Sequence, residues 1–251
     1  MITMATDGYD AVLLDIEGTT TPISFVHDEL FPYVARSVAE FLEARWGEPE
    51  VQAHVRAIAE QANKDVAAGI ADAVAVDLAA DSAEEARRKV LANIEWQMKA
   101  DRKIGALKDL QGYMWKFGFE GGELRGAMYP DAVAAMKRWA GAGRKVYIYS
   151  SGSVEAQKLI FGYTTHGSLL GLISGYYDTK VGAKIDASSY AAIAADIGLA
   201  PGRVLFVSDN VNEIRAADEA GMQTVVSVRP GNTPIGECAF RQSSDFMDIP
   251  L

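Results

Sequence analysis

The hydrophobic pattern begins with a continuous apolar run, Ala11–Leu14, that ends at Asp15. A short run of this kind is typical of a strand buried on both faces of a parallel sheet. After Pro22 the apolar residues recur at helical spacing, and no segment between Phe25 and Phe119 has the pattern of a strand. The pattern therefore predicts one strand followed by a long all-helical block.

From Pro130 onward, predicted helices alternate with predicted strands. The predicted strands are Val146–Tyr149, Val204–Val207 and Thr224–Val228. The predicted helices start at Pro130, Val154, Ser188 and Glu213. Such alternation indicates an α/β fold with a parallel sheet and right-handed crossovers. We predict an α/β catalytic core formed by residues 9–20 and 125–251, with residues 21–124 inserted as a helical cap after the first strand.

Composition limits the classes of partner. The 251 residues include 24 basic and 34 acidic side chains, so the net charge is −10. This charge disfavours binding to nucleic acid or to an anionic membrane, but a local positive site still suffices for an anionic small molecule. A single cysteine, Cys238, excludes an intrachain disulfide and favours a reducing compartment. We expect a monomeric cytoplasmic protein with a small-molecule substrate.

Polar side chains gather where the predicted strands end, which is the edge at which parallel α/β sheets bind ligands. The candidate residues are Asp15, Glu17, Ser150, Ser151, Lys184 and Asp209. The acids Asp15 and Asp209 are suitable oxygen ligands for a hard cation such as Mg²⁺. Ser150 and Ser151, with the amides of the following helix, suit a phosphate, and Lys184 adds a positive charge. Asp15 would then attack phosphorus and form an aspartyl-phosphate.

Simpler interpretations of the same residues remain open. Asp15 and Glu17 are also what a turn after a strand requires, and the segment Ser150–Ser153 is also a cluster of helix N-cap residues. Lys180 competes with Lys184 for the phosphate. We favour Lys184, which stands closer to the helix that starts at Ser188.

The four segments, in this order, resemble the motifs of the haloacid dehalogenase superfamily, and the inserted helical block resembles the cap of that superfamily. Longer stretches resemble a narrower family, the enolase-phosphatases of methionine salvage. These stretches are Asp15–Pro22, Asp101–Lys103, Leu110–Trp115, Lys145–Lys158, Asp178–Lys184 and Val228–Gly231. Most phosphatases of the superfamily have Asp where this chain has Glu17.

The resemblance implies two reactions at one Mg²⁺ site. The substrate 2,3-diketo-5-methylthiopentyl-1-phosphate is enolised and then dephosphorylated to an acireductone. By resemblance, Asp15 is the nucleophile and a metal ligand, and Glu17 is the acid/base, with its backbone carbonyl on the metal. Ser150, Ser151 and Lys184 hold the phosphate, with Lys184 also catalytic.

The resemblance also makes Asp209 the third protein ligand of the metal. The main alternative is a small-molecule phosphatase of the same superfamily with another substrate. A dehalogenase that uses Asp15 on carbon is disfavoured by Glu17 and Asp209, because that chemistry needs no metal. A non-catalytic binding protein with this fold is disfavoured because Asp15, Lys184 and Asp209 are all present.

Overall fold

The computed structural model describes residues 8–251, which contain one six-stranded sheet. The strands are, in chain order, β1 (Ala11–Leu14), β2 (Lys145–Tyr149), β3 (Ile173–Tyr177), β4 (Val204–Ser208), β5 (Gln223–Ser227) and β6 (Gln242–Ser243). Their order across the sheet is β3-β2-β1-β4-β5-β6, and every neighbouring pair is parallel. The predicted α/β fold with a parallel sheet is confirmed.

The helices account for the remainder of the regular structure. They are α1 (Phe31–Arg45), α2 (Pro49–Ala67), α3 (Ala83–Lys99), α4 (Gly105–Gly121), α5 (Pro130–Gly141), α6 (Val154–Gly162), α7 (Ala187–Ile197) and α8 (Val211–Glu219). A π-helical turn covers Phe25–Leu30. None of the helices in residues 8–251 is both long and apolar enough to cross a bilayer.

Strand β1 lies at the centre of the sheet, between β2 and β4. All of its residues are buried, because the sheet is covered on both faces at this position. Burial on both faces explains the continuous apolar run in the sequence, since neither side of the strand meets water.

Strands β3 and β6 form the two edges of the sheet, and neither was predicted. Strand β3 reads Ile-Ser-Gly-Tyr-Tyr and is only partly buried, so it has no continuous apolar run. Strand β6 has only two residues. Both are defined by pairing with a neighbouring strand rather than by a pattern of their own.

Contacts divide the chain into two compact units. One unit comprises the chain up to His27 together with Leu124–Leu251, and the other is Asp28–Glu123. The second unit contains α1 to α4 and no strand among its residues. The assignment of residues 21–124 as a cap stays a prediction.

Within the helical unit, polar side chains fix the ends and loops of the helices. The predicted capping residue Ser82 accepts a hydrogen bond from the backbone N–H of Glu85 at 3.2 Å. The buried Asn93 side chain of α3 donates to the carbonyl of Val74 at 2.8 Å and so holds the loop after α2. Asp65 of α2 pairs with Arg102, which follows α3.

Candidate active site

Asp15 directly follows β1 at the carboxyl edge of the sheet. Its backbone N–H donates to the carbonyl of Val207 in β4 at 3.0 Å, so the ladder continues up to this residue. The register pairs Leu14 with Ile148 and with Val207, which places Asp15 between the ends of β2 and β4. The central position of β1 thus brings segments distant in sequence to a single side chain.

A tight turn follows Asp15. The carbonyl of Ile16 accepts the backbone N–H groups of Thr19, Thr20 and Thr21 at 3.2, 3.0 and 2.9 Å. Gly18 has a φ of +67°, a conformation that side chains disfavour, and so permits the sharp turn. Glu17 stands exposed on this turn, whereas Asp15 is buried.

Lys184 joins two buried carboxylates. Its Nζ lies 2.6 Å from Asp15 Oδ1 and 2.7 Å from Glu213 Oε2. The Ser208 hydroxyl lies 2.9 Å from the same Glu213 oxygen and 3.5 Å from Asp15 Oδ2. Side chains from β4, from α8 and from the loop that carries Lys184 therefore gather around Asp15, which the sequence predicts to be the nucleophile.

The electrostatics of this cluster are dominated by burial and by like charges. Burial alone would lower the pKa of Lys184, but the carboxylates of Asp15 and Glu213 overcome this effect and raise it. Burial, and then the neighbouring Asp15 carboxylate, raises the pKa of Glu213, while Lys184 opposes that shift. Lys184 is consequently a permanent cation near neutral pH, held by ion pairs.

Hydroxyl groups hold the loop that carries Lys184 by hydrogen bonds to its backbone carbonyls. The Tyr190 hydroxyl donates to the carbonyl of Lys184 at 2.6 Å, and that of Ser189 donates to the carbonyl of Ala183 at 2.8 Å. Tyr149 donates to the carbonyl of Gly182 at 3.0 Å. Gly182 is required here, since a Cβ would stand 2.2 Å from Ser189 Oγ.

The predicted phosphate residues follow β2. The Ser150 N–H donates to the carbonyl of Tyr177 at 3.1 Å, and its Oγ accepts from the N–H of Gly152 at 3.2 Å. The N-cap of α6 is Ser153, whose Oγ accepts from the N–H of Ala156. Capping is therefore done by the third serine of the segment, and Ser150 and Ser151 lie ahead of the helix start, the position suited to an anion.

Asp209 follows β4 and lies beside the turn at Gly18. A Cβ on Gly18 would stand 2.3 Å from Asp209 Oδ2, so the glycine allows the close approach. Burial, and then the carboxylates of Asp15 and Glu213, raises the pKa of Asp209 to about 7, although Lys184 lowers it. Asp15 and Glu213 pair with Lys184, and Asp209 lies close enough for its pKa to respond to all three, so the cluster has an excess of negative charge when its carboxylates are ionised.

This excess negative charge fits a divalent cation held by oxygen ligands. No three His, Cys, Asp or Glu side chains within residues 8–251 are arranged as a complete metal site. The predicted ligand set needs only two carboxylates, those of Asp15 and Asp209, because Glu17 would contribute its backbone carbonyl. The donor chemistry therefore fits Mg²⁺.

Two hydroxyl groups of this site were not predicted from the sequence. Ser208 contacts Asp15 and Glu213, and Thr19 Oγ1 lies 3.3 Å from Asp15 Oδ2 while accepting the N–H of Asp209 at 3.0 Å. Ser208 directly precedes Asp209, and Thr19 lies in the turn that follows Asp15; these positions beside the strand-end acids were the available signal. Lys180 is exposed, and its N–H donates to the carboxylate of Asp178 at 2.9 Å.

Comparison with known families agrees with this fold. A family model described as haloacid dehalogenase-like hydrolase matches residues 9–221. The chain belongs to the haloacid dehalogenase-like hydrolases, as the sequence motifs predicted, and it is accordingly an enzyme of the hydrolase class.

More similar relatives narrow the class to the enolase-phosphatases. A protein of Branchiostoma floridae named enolase-phosphatase E1 is 48% identical over 239 residues, which are 92% of this chain and 79% of that protein. A Zea mays protein named "Probable bifunctional methylthioribulose-1-phosphate dehydratase/enolase-phosphatase E1" is 42% identical over 98% of this chain and 48% of its own length. The predicted resemblance to the enolase-phosphatase family is thereby confirmed.

A solved structure supports the fold over the whole length. The crystal structure of the unknown transcript 4 protein of Saccharomyces cerevisiae superposes with a TM-score of 0.75 at 35% identity. The alignment covers 95% of this chain and 99% of the yeast chain.

Proposed function

We propose that this chain is an acireductone synthase, a Mg²⁺-dependent enolase-phosphatase of L-methionine salvage. It enolises 2,3-diketo-5-methylthiopentyl-1-phosphate and then hydrolyses the phosphate ester to give the acireductone and inorganic phosphate. The observation that carries the proposal is the contact of Lys184 with both Asp15 and Glu213 at the end of the central strand. In a member of the enolase-phosphatase family, that cluster is the expected phosphoryl-transfer site.

The name of the maize relative supports the choice of substrate. Its first activity is a dehydratase acting on methylthioribulose-1-phosphate. Loss of water from a sugar phosphate of that kind leaves a diketone that still carries the phosphate. An enolase-phosphatase joined to such a dehydratase is placed to consume its product, and this chain matches 48% of the length of that protein.

The phosphatase step uses residues whose geometry is described above. Ser150, Ser151 and Lys184 hold the substrate phosphate. A carboxylate oxygen of Asp15 forms a bond to phosphorus while the bond to the substrate oxygen breaks, and Glu17 gives a proton to that leaving oxygen. Water then attacks phosphorus and gives a proton to the ionised Glu17, the Asp15–phosphorus bond breaks, and phosphate leaves with the Asp15 carboxylate and the proton of Glu17 restored.

Two features prepare Lys184 for this step. It carries a positive charge near neutral pH because its carboxylate partners stabilise the ammonium form. Its backbone is fixed by the Tyr190 hydroxyl, so the charge is already in position when the phosphoryl group moves. Preorganised charge of this kind stabilises the equatorial oxygens of the transferring group.

The enolisation step moves a proton from carbon to oxygen. Glu17 is our candidate for proton transfer in this step also, because its side chain is one methylene longer than the Asp of most superfamily phosphatases. Asp15, Asp209 and the backbone carbonyl of Glu17 would hold Mg²⁺, which supplies charge neutralisation and polarises substrate oxygens when bound.

Residues 21–124 are proposed to act as the cap that selects the substrate, and the protein is proposed to work as a cytoplasmic monomer. The alternative function is that of another small-molecule phosphatase of the same superfamily, with a different substrate selected by the cap. Relative turnover of the diketo-phosphate and of sugar phosphates separates the two.

The deciding experiment measures phosphate release from the diketo-phosphate with Mg²⁺ while the absorbance of the enol is followed. We expect the wild type to give both products and Asp15→Asn to release no phosphate. Asp10→Asn is a matched control, because Asp10 is an exposed acid that pairs with Arg203. Turnover of simple phosphate esters without turnover of the diketone would contradict the proposed substrate.

A further inference from the structure

The turn that carries Glu17 is held by residues at and after the end of β5, which lies two strands away from β1 in the sheet. The carbonyl of Gly18 accepts hydrogen bonds from Asn232 Nδ2 at 2.9 Å and from Ser227 Oγ at 3.2 Å. The next carbonyl, that of Thr19, accepts from Arg229 Nε at 3.2 Å. All three donors come from the end of β5 and the segment that follows it.

Hydrogen bonds hold the two successive peptide planes that follow Glu17. The Gly18 N–H donates to the carbonyl of Thr21 at 2.8 Å, which holds the peptide between Glu17 and Gly18. Asn232 and Ser227 hold the peptide between Gly18 and Thr19. The Glu17 side chain is exposed, and the turn that carries it sets the point from which the side chain leaves the backbone.

Arg229 makes other contacts in the core, whereas Asn232 contacts mainly the turn. Arg229 is buried, pairs with Asp131 at 2.8 Å and lies against the rings of Tyr129 and Phe246, so its loss would disturb the core. Asn232 is only half-buried. Within residues 8–251 its side chain makes one hydrogen bond, from its amide nitrogen to the carbonyl of Gly18.

The Asn232 side chain also lies at the proposed active site. Its Nδ2 is 3.0 Å from the point where a Cβ of Gly18 would stand, and Asp209 Oδ2 is 2.3 Å from the same point. Its buried Oδ1 has no hydrogen-bond partner in the part of the chain that the structure describes. A buried acceptor of this kind is costly unless the site supplies a donor, so the position indicates a role in the site rather than in stability.

We propose that Asn232 is a positioning residue: through the carbonyl of Gly18 it holds the turn that orients Glu17 for proton transfer. This inference rests on the proposed role of Glu17 as the acid that protonates the leaving oxygen. Asn232 acts through Glu17, because its side-chain hydrogen bond goes to the carbonyl of Gly18 in the turn.

The test is a double-mutant cycle between Asn232→Ala and Glu17→Gln, read as kcat for phosphate release. In the wild-type background we expect Asn232→Ala to lower kcat about 10- to 100-fold, because a small misplacement of a reacting group is costly. KM is expected to stay nearly unchanged. In the Glu17→Gln background the same substitution is expected to have little further effect, because the group it positions is already absent.

A second readout separates positioning from a general loss of structure. Asn232→Ala should leave the melting temperature close to that of the wild type while kcat falls, whereas a general loss of structure would lower the melting temperature as well. Ser227→Ala removes the other donor to the same carbonyl, and it should show the same dependence on the Glu17 background. This variant keeps the test independent of how Asn232→Ala folds.

Two results would overturn the inference. One is an equal loss of kcat in both backgrounds, and the other is a loss expressed in KM alone. The proposed function fails separately, by absence of phosphate release from the diketo-phosphate in the wild type. In that case a simple phosphate ester that the wild type hydrolyses serves as substrate for the same cycle.

Discussion

Lys184 Nζ lies 2.6 Å from Asp15 Oδ1, although 169 positions separate the two residues in the chain. Both side chains are largely buried, and a second carboxylate, that of Glu213, lies 2.7 Å from the same nitrogen. Such a charge cluster is expensive to remove from water unless each group is paired. The presence of this buried charge cluster therefore indicates a functional site.

Removing the cation should cost catalysis and also stability, because Asp15 and Glu213 lose their buried partner. We expect Lys184→Ala to lower turnover by roughly two to three orders of magnitude, as does the loss of one charge-stabilising donor in other enzymes. Steady-state phosphate release with Mg²⁺ measures the effect. Lys180→Ala is the control, because this exposed lysine lies in the same loop and is expected to be dispensable. Equal losses from the two variants would contradict the role of Lys184.

Shortening the proposed acid should separate the two reactions. In Glu17→Asp the carboxyl group retreats by one methylene, and we expect enolisation to slow more than dephosphorylation, since Asp serves the latter in most superfamily phosphatases. Enol absorbance and phosphate release, followed separately, measure the two rates. If both steps lost the same factor, the idea that the extra reach of Glu17 is what lets it serve enolisation in addition to dephosphorylation would be wrong.

The turn after β1 should not tolerate a side chain at Gly18. Its φ is +67°, and a Cβ would stand 2.3 Å from Asp209 Oδ2. Gly18→Ala is expected to displace Asp209 and to weaken both Mg²⁺ binding and phosphate release. Calorimetric titration with Mg²⁺ and an activity assay report the two effects. Gly141→Ala is the control, because a Cβ there would meet no atom within 4 Å.

The raised pKa of Asp209 predicts a pH dependence of stability for the metal-free protein. Burial and neighbouring carboxylates raise this pKa to about 7, so the folded state binds a proton more readily than the unfolded state. Its contribution to stability is therefore present below the unfolded pKa, near 4, and is lost as the pH rises through about 7. In EDTA the melting temperature should fall between pH 5 and 8.

One variant and one ion check that assignment. Asp209→Asn should reduce the fall in melting temperature, because the substituted residue cannot ionise. Mg²⁺ added at pH 8 should restore the stability of the wild type by neutralising the carboxylates, and it should do so less well for Asp209→Asn. A melting temperature of the metal-free wild type that rises over this pH range would oppose the prediction.

Much of the core could be predicted from local pattern. The apolar run before Asp15 marked the central strand because burial on both faces leaves no polar side. Strand β3, with Ser174 and Gly175 in a half-buried edge position, carried no such pattern, and only its pairing with β2 defines it. The strand-end acids and the order of the motifs likewise indicated the family, which the comparisons confirm.

The amino-acid sequence by itself determined the parallel α/β core, the place of the helical block and the candidates Asp15, Lys184 and Asp209. Hydrophobic periodicity and the position of a residue at the end of a strand are local properties, so they can be recognised in the sequence. Only the tertiary structure decided that Glu213 shares Lys184 with Asp15, that Ser208 bridges the two acids, and that Asn232 supports the turn at Gly18. Those contacts depend on strand order and register, which bring together residues that no sequence spacing relates.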